Sequence, residues 1–317
     1  MSAHEQETSV RVLSIDRVAD DVVSVRFGPI ESAGLPTWEP GAHVDLVIDG
    51  VEERQYSLCG DPRDSNVWRI GVLRERAGRG TSRYVHERLA IGQEVVLRGP
   101  RNHFELVDSP RYLFIAGGIG ITPLLPMIRS AEAAGADWSL VYGGRQLASM
   151  GFMDELAAHG DRVTIVPQDT AGPIDLDVLL LTPLPDTLVY CCGPEGLLHA
   201  VEERSALWPA HSLNIERFAP RPVDDAAPST SFEVVLNAAA MTLVVPPELS
   251  ILEVVRAAGV DVMSSCEEGI CGTCETAVLG GTPDHRDSIL DEEDRAENTC
   301  MMICVSRSLT SRLVLDL

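Results

Sequence analysis

Residues 262–274 read Val-Met-Ser-Ser-Cys-Glu-Glu-Gly-Ile-Cys-Gly-Thr-Cys and place Cys266, Cys271 and Cys274 on one short segment. A fourth cysteine, Cys304, follows after 29 intervening residues. The order Cys-x4-Cys-x2-Cys with a distant fourth cysteine is the ligand spacing of a plant-type two-iron two-sulfur cluster. Three thiolates on one loop can wrap a compact cluster, and the fourth closes the coordination from another part of the chain. The sequence therefore predicts a 2Fe–2S site.

Neighbouring residues support the cluster and leave one alternative ligand. Gly269 and Gly272 lack a Cβ, so their backbone can approach inorganic sulfide. A structural zinc site would use repeated Cys-x2-Cys pairs, and only one such pair exists. Cys300 lies four residues before Cys304 and competes as the fourth ligand. We favour Cys304 because a gap of 29 residues is the usual plant-type separation.

The composition of the chain limits the kinds of binding partner and the cellular compartment that we expect for it. A formal charge of −23 argues against nucleic acid and anionic membranes as partners. The longest apolar stretch, residues 112–128, is too short for a membrane span and is interrupted by glycine and proline. The N-terminus does not resemble a signal peptide, and free thiols in a chain of this size indicate a reducing compartment rather than a disulfide framework. We therefore expect a cytoplasmic protein.

The length of 317 residues allows two or three domains, and the texture of the sequence favours three. Short alternating runs such as VRVLSIDRV, VVSVRFGP and HVDLVI predict a small antiparallel barrel over residues 1–107. Apolar strands such as YLFIAGG and WSLVYGG alternate with helical segments such as FMDELAAHG, and they predict a parallel α/β domain over 108–222. A Pro- and Asp-rich linker over 223–230 leads to a β-grasp ferredoxin domain over 231–317, with a hairpin in FEVVLNAAAMTLVVP and a short helix in SILEVVRAAGV.

Two motifs in the first segment suit a flavin. Residues 54–57 read Arg-Gln-Tyr-Ser, and residues 78–89 read GRGTSRYVHERL. A tyrosine ring can pack on the isoalloxazine, an arginine can bind the phosphate, and a Gly/Thr/Ser turn feeding a helix offers an N-terminus to an anion. An ordinary exposed strand pair is the alternative for Arg54 and Tyr56.

Two further motifs suit a dinucleotide. Gly117-Gly118-Ile119-Gly120-Ile121-Thr122-Pro123 follows an apolar strand and departs from the Gly-x-Gly-x-x-Gly pattern of the Rossmann fold. Small residues there still allow a pyrophosphate to approach the backbone. Cys192-Gly193-Pro194 ends another apolar strand, although a buried core thiol is the alternative for Cys192. The segment closes on Glu216-Arg217-Phe218.

In this order the motifs resemble the phthalate dioxygenase reductase family over essentially the whole chain, and vanillate demethylase reductase subunits look similar. The resemblance implies FMN in the barrel, NADH in the α/β domain, and a final 2Fe–2S module that passes electrons to a terminal Rieske-type oxygenase, either an aromatic ring dioxygenase or an O-demethylase. It implies an NAD(P)H-dependent flavin iron–sulfur oxidoreductase of aromatic catabolism, and we expect a monomer.

The resemblance also assigns roles to individual residues. FMN would be held by Arg54, Gln55, Tyr56 and Ser57, and its phosphate by Gly80, Thr81 and Ser82. The dinucleotide would approach Gly118, Gly120 and Thr122, with Cys192 and Gly193 near the nicotinamide. Glu216 and Phe218 would lie beside the flavin ring, so Ser57, Cys192, Glu216 and Phe218 are the candidate catalytic residues. The cluster would be held by Cys266, Cys271, Cys274 and Cys304.

Several alternatives stay open at this point. Arg145, after WSLVYGG, would face a 2′-phosphate if NADPH were used, but it would equally suit a solvated turn or stack on adenine, and NADH is favoured. The partner could be a haem-thiolate monooxygenase, or the chain could be a redox sensor or electron carrier without turnover. The segment from residue 231 to the end contains 15 acidic residues and only five arginines. Its acidic surface is either simply solvated or a docking surface for a basic partner.

Overall fold

The computed structural model describes residues 6–30, 34–75, 80–221, 230–290 and 292–317. The chain divides into two compact units, Met1–Glu216 and Arg217–Leu317. Apart from Thr230, the predicted linker lies outside the described residues. The first unit contains a six-stranded and a five-stranded sheet, and the second contains a five-stranded and a two-stranded sheet.

Six antiparallel strands form the first sheet, in the order β4-β3-β6-β1-β2-β5. They are β1 (Glu7–Ala19), β2 (Val22–Pro29), β3 (His43–Ile48), β4 (Val51–Ser57), β5 (Trp68–Leu73) and β6 (Glu94–Arg101). A bridge between Leu58 and Ile70 joins the two edge strands, and the N–H of Cys59 donates to the carbonyl of Arg69 at 2.8 Å. The sheet therefore closes into the predicted antiparallel barrel.

The barrel follows from the alternation in its strands. Val10 and Val12 on β1 are buried in the interior, whereas Arg11 between them is exposed and pairs with Glu94 at 2.7 Å. Successive side chains point to opposite faces of a strand, so this period of two gives one apolar face. Helix α1 (Thr81–Glu87) lies between β5 and β6 in the chain.

Five parallel strands form the second sheet, in the order β11-β10-β7-β8-β9. They are β7 (Arg111–Gly117), β8 (Asp137–Gly144), β9 (Val163–Pro167), β10 (Thr187–Cys192) and β11 (Leu213–Glu216). The helices are α2 (Ile121–Ala133), α3 (Met153–Leu156), α4 (Gln168–Ala171), α5 (Leu176–Leu180) and α6 (Glu195–Arg204). Because the strand order reverses at β7, a crevice opens at the carboxyl ends of β7 and β10, where such sheets bind ligands.

Apolar cores cover both faces of this sheet, one including α2 and the other including α5 and α6. The parallel α/β prediction is thus confirmed. The predicted helix FMDELAAHG is shorter than expected: α3 ends at Leu156, and a 3₁₀ segment, Ala157–Arg162, follows. Gly160 within it adopts φ 55° and ψ −130°, a conformation that ends regular helix.

The second unit has a five-stranded sheet in the order β13-β12-β18-β14-β16. Its elements are β12 (Phe232–Leu236), β13 (Met241–Val245), α7 (Ile251–Ala257), β14 (Glu275–Gly280), β15 (Pro283–Asp284), α8 (Glu292–Glu297), β16 (Cys300–Met302), β17 (Arg307–Ser308) and β18 (Arg312–Leu315). The predicted hairpin is β12 and β13, and the predicted helix is α7. Ser250 caps α7, because its hydroxyl accepts from the N–H of Glu253 at 3.1 Å while Glu253 accepts from the N–H of Ser250 at 2.7 Å.

Among the described residues, no helix combines the length and the apolar character that crossing a bilayer would require.

Candidate active site and iron–sulfur centre

The predicted flavin residues lie on β4, where their side chains alternate between the two faces of the strand. Tyr56 packs on the barrel core. Burial and the nearby carboxylate of Glu75 raise the pKa of Tyr56, while Arg54 acts in the opposite direction. Arg54 is therefore within electrostatic reach of a tyrosine that stays neutral.

Unsatisfied polar atoms mark the other face of β4. Among the described residues, Gln55 Nε2, Ser57 Oγ and His43 Nε2 are buried without a hydrogen-bond partner. His43 stands directly opposite Ser57 in the β3–β4 pair. Burying a polar group without a partner costs free energy, so three such atoms on neighbouring positions fit a bound ligand with polar edges. Gln55 and Ser57 belong to the predicted flavin set, whereas His43 lies in no motif that the sequence analysis identified.

The predicted phosphate residues lie at the start of α1, and two of them already have partners. Thr81, which is buried, donates its hydroxyl to the carbonyl of Glu52. Ser82 Oγ accepts from the N–H of Glu75 at 3.2 Å. Gly80 adopts φ 119° and has open space where a Cβ would point. The Thr81 hydroxyl thus helps to shape the turn, the backbone at Gly80 is accessible, and the phosphate role of Gly80, Thr81 and Ser82 stays a prediction. Gly78 and Arg79 lie outside the described residues.

Ser57, Cys192 and Glu216 end three strands, β4, β10 and β11, and the structure brings these ends together. Cys192 Sγ lies 3.9 Å from Glu216 Oε2. Burial raises the pKa of Glu216 to about 8, and Ser57 and Cys192 partly offset that rise. Ser57 is thus near the carboxyl group, although its hydroxyl makes no bond of normal geometry. Burial also raises the pKa of Cys192, and the adjacent Glu216 raises it further, so the thiol stays protonated.

The glycine loop after β7 has one open and one packed glycine. Gly118 adopts φ +56° with no atom within 4 Å of where a Cβ would lie, so its backbone is open to a ligand. At Gly120 a Cβ would lie 2.2 Å from the carbonyl oxygen of Cys192, so only glycine fits. Gly120 therefore joins the ends of β7 and β10, which the sequence did not indicate.

Thr122 and Gly193 also pack within the protein. Thr122 is 2 % exposed and donates its hydroxyl to the carbonyl of Ile119 at 2.9 Å. A Cβ on Gly193 would lie 3.0 Å from the Cα of Gly117. The Thr122 hydroxyl thus holds the loop, and the approach of Thr122 to a dinucleotide stays a prediction. Gly193 keeps the two strand ends close.

Arg145 is exposed directly after β8, at the edge of the sheet where β7 also ends. This is the position expected for a residue near the adenosine half of a dinucleotide. Phe218, by contrast, belongs to the second unit and is 42 % exposed. Its predicted place beside the flavin stays a prediction.

The four predicted cluster ligands are all buried and fall into two pairs. The thiols of Cys266 and Cys271 act most strongly on each other, and each is the largest influence on the pKa of its partner; the same holds for Cys274 and Cys304. Within the described residues, no three His, Cys, Asp or Glu side chains gather where one metal ion would sit. Two pairs of thiols fit two irons with two protein ligands each.

The loop between these thiols depends on glycine. Gly269 adopts φ +70°, and a Cβ there would lie 2.6 Å from Val305 Cγ2. Gly272 adopts φ 74°. Backbone N–H groups reach the thiols nearby: that of Glu268 donates to Cys266 Sγ at 3.3 Å. Such donors stabilise thiolates bound to a cluster.

Cys300 does not belong to either pair. It lies on β16, pairs with Ala277 across the sheet, and is partly exposed. Burial and the neighbouring acids, first among them Glu275, raise the pKa of Cys300 to about 11. The geometry thus favours Cys304 over Cys300 as the fourth ligand.

Family models match the middle and the C-terminal part of the chain. Residues 234–308 match a 2Fe-2S iron-sulfur cluster binding domain, and residues 114–203 match an oxidoreductase NAD-binding domain. The matched regions hold the four-cysteine site and the crevice between β7 and β10.

Two relatives match this chain over nearly its whole length. The chain is 40 % identical to the phenoxybenzoate dioxygenase subunit beta of Ectopseudomonas oleovorans, over 98 % of this chain and 97 % of that protein. It is also similar to the solved structure of phthalate dioxygenase reductase, described as a modular structure for electron transfer from pyridine nucleotides to [2Fe-2S]. The two share 35 % sequence identity and a TM-score of 0.71, with 98 % of both chains covered.

A third similarity is to a longer protein. An intact type IV self-sufficient cytochrome P450 monooxygenase shares 42 % identity and a TM-score of 0.92 over 98 % of this chain, which spans only 41 % of that protein. The cofactors that these comparisons and the site support are a flavin, a 2Fe–2S cluster and NADH. The chain belongs to the phthalate dioxygenase reductase family, the reductase components that carry electrons from NADH through a flavin and a 2Fe–2S cluster to an oxygenase.

Proposed function

We propose that the flavin is FMN, that it lies against β4, and that the chain supplies electrons to a Rieske-type oxygenase. The observation that carries the site assignment is the meeting of Ser57 with Cys192 and Glu216. This contact joins β4, which carries the flavin motif, to the ends of β10 and β11 beside the dinucleotide crevice. A bound flavin accepts two electrons from a nicotinamide as a hydride and releases them one at a time to a cluster.

The residues of the site have positional tasks in this proposal. Gln55 Nε2 and Ser57 Oγ supply hydrogen bonds to the polar edge of the flavin, since neither makes a hydrogen bond of normal geometry to another described residue. Cys192 is a neutral, buried thiol at the nicotinamide side. Glu216 holds a proton at neutral pH, because burial raises its pKa to about 8, and it can therefore donate a hydrogen bond.

The cluster is assigned to Cys266 and Cys271 on one iron and to Cys274 and Cys304 on the other. The pairing of the thiols supports that assignment. NADH is preferred, with Arg145 beside the adenosine half. We also infer a cytoplasmic monomer with three functional domains, bounded near residues 107 and 222. The location rests on the eight cysteines, none of which forms a disulfide bond.

The anaerobic visible spectrum before and after NADH tests the electron path. Overlapping flavin and iron–sulfur bands that bleach together are expected, and an unbleached spectrum would refute the path.

Arg54→Ala tests the flavin site: FMN content should fall, and full retention would count against Arg54 as a phosphate ligand. Extracted flavin, identified by its mass, separates FMN from FAD.

A haem-thiolate oxygenase is the second candidate partner, and the P450 monooxygenase similarity favours it. The two partners are separated by reconstitution. The NADH-reduced chain is mixed with a purified Rieske oxygenase or with a purified cytochrome P450 under CO, and the bleaching of the Rieske cluster is compared with the growth of the ferrous-CO band. Faster transfer to the P450 would replace the first candidate by the second.

A further inference from the structure

Helix α2, which begins at the glycine loop, is tied to the flavin strand by Arg129. Arg129 Nη1 donates to the carbonyls of Gly60 at 2.8 Å and Cys59 at 3.2 Å. These carbonyls follow directly on the end of β4, where Ser57 lies. Arg129 and the glycine loop are separated by about 13 Å along the helix, at 1.5 Å per residue. The helix therefore spans from the dinucleotide crevice to the barrel.

Glu155 joins the same helix to a second barrel strand. Its Oε2 accepts from Arg129 Nη2 at 2.6 Å, and its Oε1 accepts from Arg69 Nη2 at 2.5 Å. Arg69 belongs to β5, and its side chain is only 8 % exposed. One carboxylate on α3 thus binds an arginine of the barrel and an arginine of the α/β sheet layer.

Phe152 completes the contact. Its ring lies 4.8 Å from the Arg69 guanidinium. A Cβ on Gly71 of β5 would lie 2.9 Å from Phe152 Cζ and 2.6 Å from Thr122 Cγ2, so the helices pack closely on the strand. Phe152 itself adopts φ 63°, a conformation that a bulky residue keeps only when its surroundings fix it. The contact is therefore closely packed and specific.

We propose that Glu155, together with Arg69 and Arg129, is a positioning group for hydride transfer: it fixes the dinucleotide crevice against the flavin strand. The inference rests on the proposed flavin site on β4. In the reaction the C4–H bond of NADH breaks, its electron pair and hydrogen form a bond to flavin N5, NADH becomes NAD⁺, and the flavin is reduced. Donor and acceptor must approach within about 3–3.5 Å, and a 1 Å misplacement can cost roughly 100-fold in rate.

The test uses Glu155→Gln, which keeps the shape and removes the charge, and Arg129→Met in the full chain with flavin bound. Stopped-flow reduction at saturating NADH should slow about 10- to 100-fold per bound flavin, while the Kd for NADH changes little. The NADH–flavin charge-transfer absorbance should weaken, because it depends on ring contact. Arg129→Lys, which keeps one donor group, should recover part of the rate.

Arg63→Met is the matched control, because Arg63 pairs with Asp61 beside the same segment but is 76 % exposed. It should leave the rate unchanged. A Glu155→Gln protein with reduced melting temperature or flavin content, but with a normal rate per bound flavin, would overturn the proposal in favour of a merely structural role. If Arg129→Met does not fold, Glu155→Gln alone decides. If NADH fails to reduce the unaltered chain, the proposed function fails instead.

Discussion

The two redox regions of this chain are built in different ways. Three of the four cluster cysteines lie within one loop, 266–274, and its shape depends on glycines at positive φ. The proposed hydride-transfer region is assembled from Ser57, Cys192 and Glu216, which lie far apart in the chain and meet only because three strands end at one place. The first region depends mainly on local backbone conformation, and the second depends on packing between a barrel and a sheet. Damage to one should therefore leave the other working.

The largest expected effect comes from the cluster. Cys304→Ser should nearly abolish the 2Fe–2S spectrum and electron delivery to an external acceptor, because the thiol closes the coordination. NADH should still reduce the flavin at close to the normal rate. Electron paramagnetic resonance of the reduced protein and stopped-flow spectra measure the two effects separately.

Cys300→Ser is the matched control for that variant, since Cys300 is partly exposed on β16 and outside both thiol pairs. It should keep the cluster. An unchanged cluster spectrum in Cys304→Ser would show that the assignment of the fourth ligand is wrong.

A glycine pair tests the packed region. In Gly120→Ala the new Cβ would lie 2.2 Å from the Cys192 carbonyl oxygen, so the ends of β7 and β10 must separate. Overpacking of this kind costs about 1–3 kcal/mol, and flavin reduction should slow on the order of 100-fold. In Gly118→Ala the new Cβ would meet no atom within 4 Å, so the only cost to folding stability is that of the positive φ, about 1–2 kcal/mol. Equal rates of flavin reduction in the two variants would contradict the close packing inferred here. The cluster spectrum should stay normal in both.

The pH dependence of flavin reduction tests Glu216. Burial raises its pKa to about 8, so the carboxyl group loses its proton, and the hydrogen bond that it donates, as the pH rises through 8. The reduction rate should fall over that range in the unaltered chain and stay flat in Glu216→Gln. Glu203→Gln, an exposed position on α6, should keep the original profile.

Stability should follow the same group. The folded chain keeps a proton on Glu216 up to about pH 8, whereas the unfolded chain releases it near the ordinary pKa of 4.5. The stability that this protonated group contributes is therefore complete below pH 4.5 and is lost as the pH rises to about 8. Glu216→Gln should therefore gain stability relative to the unaltered chain at pH 9 and not at pH 5. Urea unfolding at the two pH values measures the difference, and the opposite trend would contradict a raised pKa.

The smallest expected effect concerns the acidic second unit, with Glu293, Asp294 and Glu297 exposed around α8. If this surface guides a basic partner, kcat/KM for electron delivery should fall about 2- to 10-fold between low and physiological salt, because screening shortens the electrostatic range. Flavin reduction by NADH should not change. If electron delivery to the partner and flavin reduction by NADH depended equally on salt, the acidic surface would have no role in docking.

The sequence predicted most of the architecture. The alternating runs of the barrel, the apolar strands of the parallel sheet and the hairpin of the last domain are confirmed, since each pattern reports which face of a strand is buried. The cysteine spacing predicted a site that the structure forms from two thiol pairs. The predicted helical segment FMDELAAHG is α-helical only to Leu156 and continues as a 3₁₀ segment, within which Gly160 has a non-helical conformation.

The sequence did not indicate which polar groups are already engaged. Thr81 and Thr122 fit a phosphate-binding pattern, yet their hydroxyls are donated to backbone carbonyls. His43 and Glu155 lie in no recognisable sequence motif. His43 stands out because its buried Nε2 makes no hydrogen bond to the described residues, and Glu155 stands out because it accepts hydrogen bonds from Arg69 and Arg129. Hydrogen-bond partners of this kind come from other strands and helices, so local spacing does not specify them.

The sequence by itself determined the element types, their order, the cluster ligands to be tested and the family resemblance, because these depend on periodicity and on spacing along the chain. Only the tertiary structure decided that Ser57 meets Cys192 and Glu216, that Gly120 must be glycine for packing, and that Arg129 ties the crevice to the barrel. The physical reason is that close packing and the pKa of a buried group depend on which surfaces face each other, and distance along the chain does not determine that.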